Sequence, residues 1–173
     1  GNRMAVFFQG CNFRCIYCHN PETIHLCNNC GECVKVCPVK ALTREDGIVK
    51  WDKKICVDCD ECIKTCRFFS SPKTEKYTVA DLLKETEKVK IFIQGVTVSG
   101  GEATLNAHFI TEFFKEVKKM NLSVFVDTNG GIDLSLEEYK EFVEVTDKFM
   151  LDIKAWDSTE HKELTGADNE IVL

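Results

Sequence analysis

Apolar and polar positions along this chain follow two periods. Met4-Ala5-Val6-Phe7-Phe8 is a short apolar run of strand length. After a cysteine-rich stretch, Thr78 with Asp81 three residues later predicts a helix start, and Val79, Leu82, Leu83 and Thr86 give the 3.6-residue stripe. Val96-Thr97-Val98-Ser99 predicts the next strand, and Ile110, Phe113, Phe114 and Val117 share one face of a second helix. Leu122 to Val126 reads as a buried strand. Ser135 with Glu138 predicts a capping box for a helix carrying Leu136, Tyr139, Phe142 and Val143, and Phe149 to Ile153 is a further strand. Asp157 caps a last short helix that Gly166 ends.

Strand-helix units repeated in one direction imply an α/β fold with a parallel sheet, closed or half closed, and helices outside it. Ligands in such folds bind at the C-terminal ends of the strands. Residues with chemistry fall there: Cys11 after the first strand, Glu102 after the second, Asp127 after the third, Asp152 and Lys154 after the fourth. Four loops that agree in this way point to one active site.

Composition narrows the class. At 173 residues, 44% apolar and 29% charged, the chain has room for one globular domain and a small insert. A net charge of −6, a pI of about 5.3 and the lack of a Lys/Arg block argue against a nucleic-acid or anionic-membrane surface. No apolar run is long enough for a membrane span or a signal peptide, so the expected location is cytoplasmic. The chain opens at Gly1 without Met and ends at Leu173 as another element is starting, so it reads as a piece of a longer one.

The eleven cysteines change the picture most. An odd number with no secretory segment fits reduced, metal-holding thiolates better than disulfides. Cys11, Cys15 and Cys18 lie within eight residues directly after the first strand. Three thiolates can hold three corners of a cubic iron-sulfur cluster and leave the fourth iron open to a reactant. With His19 adjacent, a zinc knuckle is the alternative. Further on, Cys27, Cys30, Cys33 and Cys37 recur 29 residues later as Cys56, Cys59, Cys62 and Cys66, giving C-x2-C-x2-C-x3-C twice. In two-cluster bacterial ferredoxins the fourth cysteine of each run serves the other cluster. That assigns Cys27, Cys30, Cys33 and Cys66 to one closed cubane, and Cys56, Cys59, Cys62 and Cys37 to a second. Pro38 follows the first run as expected, whereas Arg67 follows the second. Zinc ribbons use separated cysteine pairs, unlike either run.

The smaller motifs stay open when taken singly. Ser99-Gly100-Gly101-Glu102 is a strand-to-helix turn or a ligand-binding backbone. Asp127-Thr128-Asn129-Gly130 contains the turn signal Asn-Gly, and Asp152-Ile153-Lys154 is a surface ion pair or a ligand contact. His25, His108 and His161 read as surface or core histidines.

Taken together these residues resemble a family. Cys11-x3-Cys15-x2-Cys18 with Tyr17 before the last cysteine is similar to the signature of radical S-adenosylmethionine (SAM) enzymes. Ser99 to Glu102, Asp127 to Gly130 and Leu151 to Lys154 resemble motifs of the glycyl-radical-enzyme activating enzymes, with a ferredoxin-like insert typical of some of them. Ser99 to Ala103, Lys154-Ala155-Trp156 and Leu164-Thr165-Gly166 look closest to the YjjW-type branch. The resemblance implies that 1–26 and 67–173 form a partial parallel (β/α)6 barrel and 27–66 a two-cluster ferredoxin-like insert. It implies SAM and three [4Fe-4S] clusters as cofactors, SAM binding the open iron of the Cys11, Cys15 and Cys18 cluster. Reduction would cleave SAM to a 5′-deoxyadenosyl radical that takes a hydrogen from a glycine of a partner glycyl radical enzyme. Gly100, Gly101 and Glu102 would face the methionyl amino group with Asp127 nearby, Lys154 the carboxylate, and the Tyr17 to His19 backbone the adenine. Asp127, Thr128, Met150 and Asp152 match positions for a monovalent cation in related activating enzymes. Flavodoxin or ferredoxin would supply electrons. The competing readings are a radical SAM enzyme acting on a small molecule and a ferredoxin-type electron carrier; the latter leaves Cys11, Cys15 and Cys18 unexplained.

Overall fold

In the computed structural model, which describes residues 1–173, the first apolar run forms strand β1 (Arg3–Phe8). Two short helices, α1 (Glu32–Val36) and α2 (Glu61–Thr65), flank a hairpin of β2 (Leu42–Glu45) and β3 (Ile48–Trp51). The strand-helix rhythm then runs as α3 (Val79–Val89), β4 (Gly95–Gly100), α4 (Ala107–Lys119), β5 (Ser123–Thr128), α5 (Lys140–Val145), β6 (Lys148–Leu151) and α6 (Ser158–Thr165). The chain divides into two units, one of Gly1–Cys18 with Tyr77–Leu173 and one of His19–Lys76.

In the first unit the strands lie in the order β1-β4-β5-β6, all parallel. Phe8 is level with Gly100, Val98 with Val126, and Thr128 with Leu151, so all four strands end on one edge. One sheet face carries the core. Val96, Val98, Val124 and Val126 pack against Ile110, Phe113, Phe114 and Val117 of α4, all of them fully buried, with Leu82 of α3 and Phe142 of α5 at the flanks. Each such side chain contributes roughly 1.5–3 kcal/mol on burial, which makes α4 the main anchor of the sheet. On the other face, Arg3 spans the strand starts. It donates to Thr97 Oγ1 at 2.7 Å and Ser123 Oγ at 2.7 Å, and its guanidinium lies 3.6 Å from the Phe125 ring centre.

The caps show where local chemistry was decisive. Thr78 and Asp81 form the reciprocal capping box at α3, and the Asp157 carboxylate accepts from the Glu160 N–H at α6, which ends at left-handed Gly166. The box expected from Ser135 and Glu138 does not form. Ser135 donates through both its N–H and its hydroxyl to Asp133 Oδ1, and α5 is reached through a 3₁₀ turn, Glu137–Tyr139, without a side-chain cap. The aspartate two residues upstream holds Ser135 in a local turn instead of at a helix start.

In the second unit the 29-residue repeat is visible in the backbone. Helices α1 and α2 start 29 residues apart, and left-handed residues recur at the same offset as Asn29 and Asp58, Gly31 and Asp60, Lys40 and Phe69. The pairs Glu32–Lys35 and Glu61–Lys64 repeat likewise. The core is small: Cys33, Leu42 and Cys62, backed by Val49, Trp51 and Ile63. The unit reaches beyond 27–66 on both sides because its flanks bond to each other, His25 N–H to Phe69 O at 3.1 Å.

Candidate active site

The loop that follows β1 is held from three directions. Gly10, at φ 103°, turns the chain off the sheet, a conformation that favours glycine. From the β4 side, the Gly101 N–H donates to Phe8 O at 2.9 Å and the Glu102 N–H to Gly10 O at 2.7 Å. From α6, the carbonyls of Thr165 and Leu164, left without helical partners at a C-terminus, accept from the N–H groups of Arg14 at 2.7 Å and Ile16 at 2.9 Å. Phe13 anchors the loop in the interior. It is 3% exposed, meets the His161 ring edge-on at 5.3 Å, and sits so close to Gly131 that a Cβ there would lie 2.7 Å from its ring.

This leaves Cys11, Cys15 and Cys18 half-buried on a fixed backbone. The Cys11 sulfur accepts from the Phe13 N–H at 3.4 Å and from Asn129 Nδ2 at 3.7 Å. Burial pushes the Cys11 and Cys15 thiols up from their ordinary values. Their protons must therefore be displaced when iron binds. No three His, Cys, Asp or Glu side chains gather around a point where one ion would sit. A cubane spreads its thiolates over separate irons, so its ligands stand farther apart than those of a single ion. Three thiols on one anchored loop fit such a cluster.

Glu102 ties the neighbouring loops together. It is 2% exposed, and its Oε1 accepts from Thr104 N at 3.0 Å, Thr104 Oγ1 at 2.6 Å and Thr128 Oγ1 at 2.8 Å, while Oε2 accepts from Asn129 N at 2.8 Å. The carboxylate thus faces the interior, with its lone pairs committed to protein donors. Gly100 permits this approach: at φ 115° a Cβ would lie 2.2 Å from Phe8 O. The N–H of Gly101 is also taken, by Phe8 O.

At the β6 end, Asp152 donates its N–H to Thr128 O at 2.9 Å, and its carboxylate pairs with the Lys154 ammonium. Burial pulls the Lys154 pKa down, but Asp152, Cys15 and Tyr17 more than offset this, so Lys154 stays charged beside the cysteine loop. Its Nζ lies 6.0 Å from the half-exposed Tyr17 ring. Asp127 is half-buried and level with Met150 in the sheet. Of the four positions expected to hold a monovalent cation, Thr128 has its hydroxyl engaged by Glu102 and by the Gly130 N–H. His19 is exposed and opens the second unit. Asn12, Phe13 and Thr104 join the site without having been singled out from the sequence, and Asn129 was read there only as part of the Asp127 to Gly130 motif with its Asn-Gly turn signal. Contacts such as Asn129 to Cys11, 118 positions apart, and Asn12 to Gly131, 119 positions apart, join loops distant along the chain.

Within the second unit, a cavity of about 350 Å³ is lined by Cys27, Cys30, Cys33, Cys62 and Cys66 together with Arg67 and Ser70. A smaller one of about 20 Å³ is lined by Cys37, Cys56, Cys59 and Cys62 beside Lys73. Burial pushes the Cys33 thiol up to about 11, with the neighbouring thiols adding to the effect. Lys73 clamps Asp60 at 2.6 Å and Asp58 at 3.1 Å, holding the left-handed turn before α2.

A family model described as the Radical SAM superfamily matches residues 5–173. The chain is 36% identical to the trans-4-hydroxy-L-proline dehydratase activating enzyme of Clostridioides difficile, covering 100% of the chain and 62% of that protein. It is 31% identical to the pyruvate formate-lyase 1-activating enzyme of Escherichia coli K12, over 100% of the chain and 54% of that protein. To the choline trimethylamine-lyase activating enzyme of Oleidesulfovibrio alaskensis it is 33% identical, over 100% and 61%. The chain thus spans between half and two thirds of the length of these relatives.

Proposed function

Since the chain belongs to the radical SAM superfamily, we propose that it is the cluster-bearing part of an activating enzyme that takes a hydrogen from a glycine of a partner glycyl radical enzyme. Each relative is named for a different enzyme that it activates, so what they share is the activation chemistry. The observation that carries the reading is that the three-thiol loop is built into the same sheet edge as the Glu102, Asn129 and Lys154 loops. In this reading the four parallel strands belong to a partial (β/α)6 barrel.

Cys11, Cys15 and Cys18 would hold a [4Fe-4S] cluster, which when bound supplies the electron that cleaves SAM and so the oxidant for hydrogen abstraction. The residues of the chain supply position. Lys154, kept cationic by Asp152, suits the carboxylate of SAM, and the turn at Gly100 and Gly101 suits its ammonium. Tyr17 and His19 would take the adenine, and Asp127 would stand near the amino acid end or serve a monovalent cation. Glu102 acts through the loops that it joins.

We extend the proposal to the second unit, where Cys27, Cys30, Cys33 and Cys66 would hold one further cubane and Cys56, Cys59, Cys62 and Cys37 another. Cys66 lines one cavity with Cys27, Cys30 and Cys33, and Cys37 lines the other with Cys56, Cys59 and Cys62, which supports the crossed assignment, although Cys62 lines both. These clusters would accept electrons from a flavodoxin or ferredoxin. Such chemistry belongs in a reducing cytoplasm, and no helix is long and apolar enough to cross a membrane.

The test uses the full-length protein, reconstituted with iron and sulfide without oxygen, reduced with SAM present and assayed for 5′-deoxyadenosine. SAM cleavage together with a glycyl-radical EPR doublet on the partner is the expected result. Cleavage that leaves every candidate partner without that doublet would favour a small-molecule substrate, and no cleavage would overturn both. Cys30→Ala or Cys59→Ala should slow cleavage with the protein electron donor; unchanged rates would mean that these clusters pass no electrons to the one on Cys11, Cys15 and Cys18.

A further inference from the structure

Asn129 lies outside the three-cysteine loop and donates a hydrogen bond to a sulfur of that loop. Its amide orientation is set by the backbone. Gly131 N–H, which can only donate, bonds to Asn129 Oδ1 at 2.9 Å, so Nδ2 must face the other way. There Nδ2 meets Asn12 Oδ1 at 2.8 Å and the Cys11 sulfur at 3.7 Å. Asn12 is oriented in turn by Gly131 O, which accepts from its Nδ2 at 3.0 Å. The Asn129 backbone is pinned independently by Glu102 Oε2. Asn129 is 7% exposed, so its N–H dipole acts on Cys11 with little competition from water.

We infer that Asn129 is a positioning residue that raises the reduction potential of the cluster on Cys11, Cys15 and Cys18 through its N–H bond to the Cys11 sulfur. The inference rests on that loop holding the cluster. A donor to a ligand sulfur stabilises the extra negative charge of the reduced state more than the oxidised state, which moves the potential upward. The Phe13 N–H does the same from the loop itself and cannot be removed by a side-chain change, whereas Asn129 can be varied.

The experiment is an EPR-monitored redox titration of the reconstituted full-length protein. The signal of this cluster is identified as the one that SAM perturbs and that Cys15→Ala abolishes. Asn129→Asp keeps the shape and the Oδ1 bond to Gly131 but replaces the donor with an acceptor. Its ratio of reduced to oxidised cluster at a fixed solution potential should fall about tenfold, equal to 59 mV for one electron. Asn129→Ala, which removes the donor without adding charge, should shift it in the same direction by a smaller factor. Wild-type ratios in Asn129→Asp and Asn129→Ala, with normal iron content, would overturn the inference while leaving the assignment of the cluster intact. A wild-type protein without the Cys15-dependent signal would overturn both.

Discussion

Four donors converge on the Glu102 carboxylate, from Thr104, Thr128 and Asn129. A buried acceptor with that many donors is hard to replace even by its own amide. In Glu102→Gln the new NH₂ must face at least one N–H or O–H donor, so a bond is lost and a donor is left unpaired, at about 2 kcal/mol. Urea unfolding should show that loss, and the loosened Asn129 turn should lower iron retention by the cysteine loop. Gly100 is constrained by backbone rather than by charge. Its φ of 115° and the 2.2 Å approach to Phe8 O leave an alanine no relief, because the obstacle is a paired strand. Gly100→Ala should cost about 3 kcal/mol, seen as a lower midpoint in the same unfolding assay.

Among the elements, the join between α4, β5 and β6 depends on Asp147. Its carboxylate accepts from Lys118 at 2.7 Å and from the Val124 N–H at 2.8 Å, while its own N–H donates to Val124 O at 3.0 Å. Burial pushes the Asp147 pKa up, but the bonds to Lys118 and Val124 outweigh it and the net shift is downward. The folded pKa therefore lies below the unfolded one near 4. The stabilisation is present above that value and is lost as pH falls through the folded pKa. Asp147→Asn should destabilise by about 1 kcal/mol at neutral pH, and the difference from wild type should shrink as the pH is lowered from about 5 to about 2. Unfolding midpoints of the two proteins across that range would check it.

Over the whole molecule the two units differ in what holds them. The sheet unit has a continuous apolar core around α4, whereas the cysteine-rich unit has a core in which two of the three buried residues are thiols. With so little apolar burial, the proposed clusters would be what orders this unit. Chelating iron should raise amide exchange through 19–76 while β4, β5 and α4 stay protected, as hydrogen-deuterium exchange would report. Equal protection in both units after chelation would mean that residues 19–76 are held by their own side chains.

The order of strands and helices was legible because each element carries its own period and most of its caps: Thr78, Asp157 and Gly166 act within a few residues of themselves. The cysteine spacing was legible for the same reason, since a short loop limits how far its thiols can separate, and the repeat at offset 29 reappears in the left-handed residues. Ser135 misled because Asp133, two residues upstream, takes both its N–H and its hydroxyl in a turn that the Ser135 and Glu138 spacing does not exclude. What only the tertiary structure decided was the direction of the polar groups at the sheet edge. Glu102 turns inward to Thr128 and Asn129, α6 offers its last carbonyls to Arg14 and Ile16, and Asn129 reaches Cys11. Those bonds join residues that are distant along the chain, and they exist only because parallel pairing brings the ends of β1, β4, β5 and β6 to one edge. Period and spacing are local and can be read along the chain, whereas the partner of a buried donor is set by whichever loop the fold places beside it.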